Sequence, residues 1–118
     1  MIRHYLASGG NEFFISIESE KYILGFCRLR FPKQTLRKEI TDRTALVREL
    51  HVYGEATAIG KTGKVQHKGF GKILLEKAED IAKDYHKDKI VIISGVGVRD
   101  YYKKLGYKNQ GPYMVKSI

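Results

Sequence analysis

Three stretches in the first half of the chain alternate apolar and polar residues with a period of two. Over Glu12–Glu18, Phe13, Ile15 and Ile17 alternate with more polar neighbours, and over Tyr22–Phe31, Ile23, Cys27, Leu29 and Phe31 fall on one side. Over Ala45–Tyr53, Leu46, Arg48, Leu50 and Val52 fall opposite Val47, Glu49, His51 and Tyr53. A period of two marks a strand with one buried face, so three strands are predicted. Ser19-Glu20-Lys21 is short enough for a hairpin between the first two, and Gly9-Gly10 reads as a turn before them. Pro32 ends the second strand because it brings no N–H to a ladder. The polar stretch Lys33–Arg43 has little periodicity and reads as a loop or short irregular helix facing solvent or a partner.

From residue 70 the period becomes helical. Phe70, Ile73, Leu74, Ala78, Ile81 and Tyr85 recur on one face, with Lys72, Glu76, Glu79, Asp80 and Lys83 on the other. Lys89–Ser94 then contains the apolar run Ile90-Val91-Ile92-Ile93, the pattern of a central strand buried on both faces. Gly95-Val96-Gly97 turns the chain, Arg99–Leu105 forms a short helix ended by Gly106, and Tyr113–Lys116 makes a last strand. Strand, strand, strand, helix, strand, short helix, strand predicts one α/β domain over 1–118 with a mixed sheet. Ala45–Ser94 is expected to form a right-handed crossover.

Composition narrows the function classes. With 118 residues and 42% hydrophobic content the chain can build one modest core. No apolar run approaches the roughly 20 residues that span a bilayer, and Met1-Ile2-Arg3-His4-Tyr5 lacks the apolar centre of a signal peptide. A cytoplasmic location, away from any membrane, is expected. The single cysteine, Cys27, excludes an internal disulfide and sits in an apolar strand pattern, as a small buried hydrophobe does. His4, His51, His67 and His86 are scattered without ligand spacing, so no metal is expected. The formal charge of +9, from 22 Lys and Arg against 13 acids, creates a field that attracts polyanions, CoA and RNA among them.

The densest chemical signal is Gln66-His67-Lys68-Gly69-Phe70-Gly71, running straight into the long helix. The first N–H groups of a helix lack intrahelical partners, and the aligned peptide dipoles make that end positive. Gly69 and Gly71, without Cβ atoms, let a phosphate approach those N–H groups, and Lys68 and Lys72 add charge. The spacing Gln-x-x-Gly-x-Gly resembles the pyrophosphate-binding loop of the GNAT superfamily of acetyl-CoA-dependent acetyltransferases. Tyr101-Tyr102-Lys103-Lys104-Leu105-Gly106-Tyr107 resembles the aromatic-Tyr-x-Lys-x-Gly-aromatic signature that follows the fifth strand of that superfamily. The fold these resemblances imply is the GNAT fold, a mixed, mostly antiparallel sheet flanked by helices.

The resemblance extends further. The segments Tyr5–Phe14, Val47–Gly54, Gln66–Gly71, Ile93–Tyr102 and Gly111–Lys116 together resemble the C-terminal acetyltransferase domain of the Elongator catalytic subunit. That family joins the domain to an N-terminal radical S-adenosylmethionine domain, whose iron–sulfur cluster needs closely spaced cysteines that this chain does not have. The chain is therefore expected to be an excised domain or a stand-alone relative. The resemblance implies acetyl-CoA as substrate and tRNA as partner, in modification at C5 of the wobble uridine, with tRNA-stimulated hydrolysis of acetyl-CoA as one form of the reaction. Acetylation of a histone lysine or a small amine, and a non-enzymatic basic RNA-binding module, are the alternatives.

The resemblance also carries roles. The backbone around Leu50, His51 and Val52 faces the acetyl and pantetheine groups, and Gln66, His67, Lys68, Gly69, Phe70, Gly71 and Lys72 hold the diphosphate. Tyr102 is the first choice of general acid at the departing sulfur and Tyr101 the second; a phenol titrates near about 10 and is protonated at neutral pH. One of the two can equally pack in the core while the other fronts the site. Glu49 and His51 share a strand face and can act as bases, though Glu49 can instead pair with Arg48 or a lysine, and His51 can simply line the pocket. Ser94 either bonds the pantetheine arm or caps its strand.

Overall fold

The computed structural model describes residues 2–7, 10–32, 43–53, 69–93 and 99–118. They form a seven-stranded sheet with β1 (Ile2–Ala7), β2 (Gly10–Glu18), β3 (Ile23–Pro32), β4 (Thr44–Val52), β5 (Lys89–Ile93), β6 (Lys108–Gln110) and β7 (Tyr113–Ser117). The spatial order is β1-β2-β3-β4-β5-β7-β6. Helix α1 (Phe70–Asp84) connects β4 to β5, and the short α2 (Arg99–Lys104) follows β5. Among the described pairs only β4–β5 is parallel. A parallel pair requires a crossover, and α1 lies within it.

Two strands were not foreseen. β1 pairs with β2 from Ile2↔Ile15 to Ala7↔Gly10, so Gly10 begins a strand rather than belonging to a turn. Its sequence, Ile-Arg-His-Tyr-Leu-Ala, lacks the clean alternation that announces a strand. β6 is exposed at all three residues and exists through its ladder with β7 alone. A strand without a buried face leaves no hydrophobic pattern to read.

The core lies between α1 and one face of the sheet. Phe13, Ile15, Cys27, Leu29, Ala45 and Val47 meet Leu74, Leu75, Ala78 and Ala82 there. Cys27 is fully buried, and desolvation pushes its thiol up to about 12, so it behaves as an unreactive hydrophobe. The buried stripe of α1 is rotated from the expected one: Ile73 is 50% exposed, whereas Glu79, expected on the polar face, is only 8% exposed. A carboxylate can lie there because Tyr107 and Lys116 bond it. Among the described residues no helix is long and apolar enough to cross a membrane.

The strand β4 departs from the simple alternation. Arg28 pairs with Glu49 but Leu29 pairs with Val47, so Arg48 is an extra residue, a β-bulge. The bulge reverses the parity of the strand. Ala45 and Val47 face the core before it, Leu50 and Val52 after it, and Leu46 packs on the other face with Val91, Tyr113 and Val115. The expected grouping of Leu46, Arg48, Leu50 and Val52 is thus corrected. A similar register shift between Ile17 and Glu18 separates Ile23, 42% exposed, from the buried side of β3.

Deleting Arg48 should remove the bulge and leave Ala45, Val47, Leu50 and Val52 in one unbroken alternation, with Glu49–Val52 keeping their partners on β3. Because no buried aliphatic side chain, each worth ~1.5–3 kcal/mol, leaves the core, stability measured by urea unfolding should change by less than about 1 kcal/mol.

Candidate active site

The bulge also separates β4 from β5. Parallel pairing ends at Val47↔Ile92, whereas pairing of β4 with β3 continues to Val52↔Gly25. Beyond Val47, the backbone groups of β4 that face β5 have no strand partner on that side among the described residues. The opening lies at the carboxyl ends of the two parallel strands, where α/β proteins receive ligands. A Cβ on Gly25 would stand 3.1 Å from the His51 carbonyl oxygen and 3.3 Å from Leu74 Cδ1. The bare backbone of Gly25 therefore lets the first turns of α1 settle over the ends of β3 and β4.

Among the described residues, no side chain caps the N-terminus of α1. Gly69 is its N-cap, with φ 82° and ψ −13°, and supplies no side-chain hydrogen bond; no acidic residue occupies the first turn. The Gly69 carbonyl accepts the Ile73 N–H at 2.8 Å, which starts the helical ladder and leaves the earlier amides pointing off its end. Lys72 is exposed in the same turn.

The two glycines serve different ends. A Cβ on Gly69 would meet nothing within 4 Å, so the left-handed backbone is what requires glycine there. A Cβ on Gly71 would collide with the Tyr101 hydroxyl and lie 3.1 Å from its Cζ. Tyr101, 41% exposed on α2, thus rests its phenol on the first turn of α1. Tyr102 turns the other way: it is 6% exposed, with its ring edge-on to Tyr101 at 5.4 Å and to Tyr107 at 6.1 Å. Burial raises the Tyr101 phenol. Burial, followed by the neighbouring Tyr101 and Cys27, pushes Tyr102 up to about 12. Both hold their protons at neutral pH. The phenol beside Gly71 belongs to Tyr101, while Tyr102, the first choice by resemblance, packs in the core.

Glu49 and His51 do share a face, the one opposite Leu50, Val52 and α1. Glu49 pairs across the ladder with Arg28 at 3.5 Å, both half-exposed. Arg48 reaches Glu12 instead, at 3.7 Å. His51 is exposed, stacked on Phe26 at 5.7 Å and edge-on to Tyr53 at 4.6 Å, and Phe14 extends the row at 5.2 Å from Phe26. Glu12, 5% exposed, also faces Arg30 at 3.5 Å.

The structure brings Gly69, Phe70, Gly71 and Lys72 together with Tyr101 at one end of α1, beside the separated end of β4. Gln66, His67, Lys68 and Ser94 lie outside the described residues. Among the described residues no group of three or more His, Cys, Asp and Glu is placed to hold a metal. Sequence reasoning missed the pairing of Arg28 with Glu49 and of Glu12 with Arg30. The latter was within reach, since the hairpin that sets Ile15 opposite Cys27 also sets Glu12 opposite Arg30.

Residues 2–107 match the acetyltransferase (GNAT) family, and the chain belongs to it. It is 52% identical, over 97% of its length, to the tRNA uridine(34) acetyltransferase of Methanocaldococcus jannaschii. It is also 52% identical, over 98%, to Elongator complex protein 3 of Saccharomyces cerevisiae. The chain spans 22% of the length of these curated relatives, so what it matches is their acetyltransferase domain alone. The structure of Methanocaldococcus infernus Elp3 with residues 1–46 deleted superposes with a TM-score of 0.88 at 46% identity, over 100% of this chain and 29% of that one. The Thermoplasma acidophilum PaiA N-acetyltransferase in complex with coenzyme A shares the fold, with a TM-score of 0.62 at 22% identity over 91% of this chain and 60% of that one.

Replacing Gly69 with Ala should cost about 1–2 kcal/mol for the left-handed backbone, whatever residue stands at 101. The cost of Gly71→Ala should instead fall by about 1 kcal/mol when Tyr101→Ala is combined with it. Urea unfolding of the single and double variants checks both. Because burial holds the folded Tyr102 pKa above a phenol's ordinary value of 10.0, its contribution to stability is complete below pH 10. Stability should decline as the pH rises from 10 toward 12, as thermal melts across that range would record.

Proposed function

We propose that this chain is the acetyl-CoA-binding domain of an enzyme that modifies the wobble uridine of tRNA. The observation that carries this reading is the identity of about half of all residues, over 97% of the chain, with proteins named tRNA uridine(34) acetyltransferase. The site's own features fit acetyl-CoA. An uncapped helix N-terminus, a glycine cradle and an exposed lysine suit a diphosphate. A strand edge released from its neighbour suits a pantetheine arm, which can take the place of a missing ladder partner.

Acetyl-CoA supplies an activated acyl carbon and a thiolate leaving group. The chain's residues would bind and orient it: Gly69, Phe70, Gly71 and Lys72 at the diphosphate, with Gln66, His67 and Lys68 preceding them, and Leu50, His51 and Val52 along the arm. Backbone N–H groups of β4 that face the opening would polarise the thioester carbonyl. Tyr101 would hold a proton within reach of the departing sulfur, with Tyr102 fixing its ring from behind. His51, or Glu49 once released from Arg28, would take the proton of the attacking group, water included, from the open sheet face. Ser94 would bond the arm from the end of β5. The basic surface would meet tRNA, and the radical S-adenosylmethionine domain of the Elongator family would supply the bond-forming step at C5. A cytoplasmic location accords with this role.

Thiol release from acetyl-CoA should rise when tRNA is added and not when histone peptide is added; the reverse would make the domain a lysine acetyltransferase. RNA affinity without thiol release under any condition would make it a binding module. Gly69→Glu, at a position where a Cβ meets nothing within 4 Å, should abolish CoA binding in calorimetry by setting a carboxylate where phosphate would sit. Tyr101→Phe should slow tRNA-stimulated release by about 10²-fold, with CoA affinity unchanged.

A further inference from the structure

The clearest buried polar cluster outside these residues lies two turns further along α1. Glu79, 8% exposed, accepts the Tyr107 O–H at 2.8 Å and the Lys116 ammonium at 3.2 Å on each carboxylate oxygen. Lys116 also donates to the Leu105 carbonyl at 3.2 Å. The chain bends at Gly106, φ 97°, where a Cβ would press on Lys116 Cε at 3.3 Å. Burial, and then the Glu79 charge, raise the Tyr107 phenol, so it stays a donor. A cleft of about 210 Å³ opens beside the cluster, walled by Lys72, Glu76, Lys104 and Lys116.

The cluster has a mechanical consequence. α2 is six residues long, too short to be held by its own hydrogen bonds. Its orientation depends on what grips it. Towards its N-terminal end Tyr101 rests on Gly71, the first turn of α1. Just beyond its C-terminal end, Leu105 and Tyr107 are tied through Lys116 and Glu79 to the third turn of the same helix. Rings continue the connection inside, from Tyr107 through Tyr102 to Tyr101. The two grips are eight residues apart on α1, roughly 12 Å at 1.5 Å per residue.

We propose that Glu79 is a positioning residue: by holding Tyr107 and Lys116 against α1, its carboxylate sets the orientation of α2 and so the placement of Tyr101 over Gly71. The consequence for CoA rests on the reading that the N-terminus of α1 receives its diphosphate. Glu79 touches neither CoA nor the reacting atoms. Lys116, on β7, joins the sheet to the same device.

Glu79→Gln, made in the 118-residue chain, tests this by two readouts. One is the Gly71 amide signal in nuclear magnetic resonance, from the residue against which the Tyr101 phenol rests; the other is CoA affinity by calorimetry. The Gly71 signal should move although Glu79 is two turns away, and the CoA dissociation constant should rise about tenfold. Signals from β2 and β3 should stay in place. Tyr107→Phe removes one hydrogen bond and keeps the ring, and should move Gly71 in the same direction by less; it decides the matter if Glu79→Gln does not fold. An unmoved Gly71 signal in folded variants overturns the proposal. No CoA binding by the unsubstituted chain would overturn the diphosphate reading instead, leaving the Gly71 signal to judge the positioning role.

Discussion

One residue inserted into one strand shapes this molecule more than any other local feature. β4 belongs to two ladders, antiparallel with β3 and parallel with β5, and it cannot keep both past Arg48. The bulge preserves the ladder with β3 and gives up the one with β5. Three consequences follow together: Leu50 and Val52 return to the core face, Glu49 and His51 turn to the open face, and the edge of β4 has no strand partner among the described residues. The N-terminus of α1 starts over the same strand ends, because Gly25 lets Leu74 close to the His51 carbonyl. A helix N-terminus without a side-chain cap and, among the described residues, an unpaired strand edge thus lie side by side.

The two buried carboxylates among the described residues, Glu12 and Glu79, each face opposite charge. Glu12 is nearly buried between Arg30 and Arg48, and Glu79 is bonded by Tyr107 and Lys116. Taking a carboxylate out of water is costly unless opposite charge and hydrogen bonds replace the lost hydration. Such groups contribute little net stability and a good deal of geometry. Glu12 ties β2 to β3 and to the bulged residue of β4, and Glu79 ties both helices to β7. Each marks a place where two elements must keep a fixed relation near the opening.

The fold and the sequence relatives speak to different questions. Structures only about a fifth identical, PaiA among them, share the arrangement and so bear on architecture alone. Identity near one half over almost the whole chain marks it as the acetyltransferase domain of Elongator-type proteins. The open face of the sheet carries a row of Phe14, Phe26, His51 and Tyr53 beside the paired Arg28 and Glu49.

Much of this was legible in the residues, because period two and period 3.6 are imposed by backbone geometry. The positions of β2, β3, β5, β7 and both helices along the chain could be read directly, and the glycine spacing before α1 marked its first turn. β1 and β6 were not legible, since neither shows the alternation of a half-buried strand. The bulge at Arg48 was invisible for a related reason: an extra residue reverses parity only relative to a partner strand, and parity along one strand says nothing of its neighbour's register. Nor could spacing decide between adjacent tyrosines; α2 had to be seated on α1 before Tyr101 was found against Gly71 and Tyr102 in the core. The local pattern determined which segments are strands and helices and where the glycine-flanked first turn of α1 lies. The packing of α1 across the sheet decided that Glu79 lies inside, because only contact with Tyr107 and Lys116, 28 and 37 residues away, makes a buried carboxylate tolerable there.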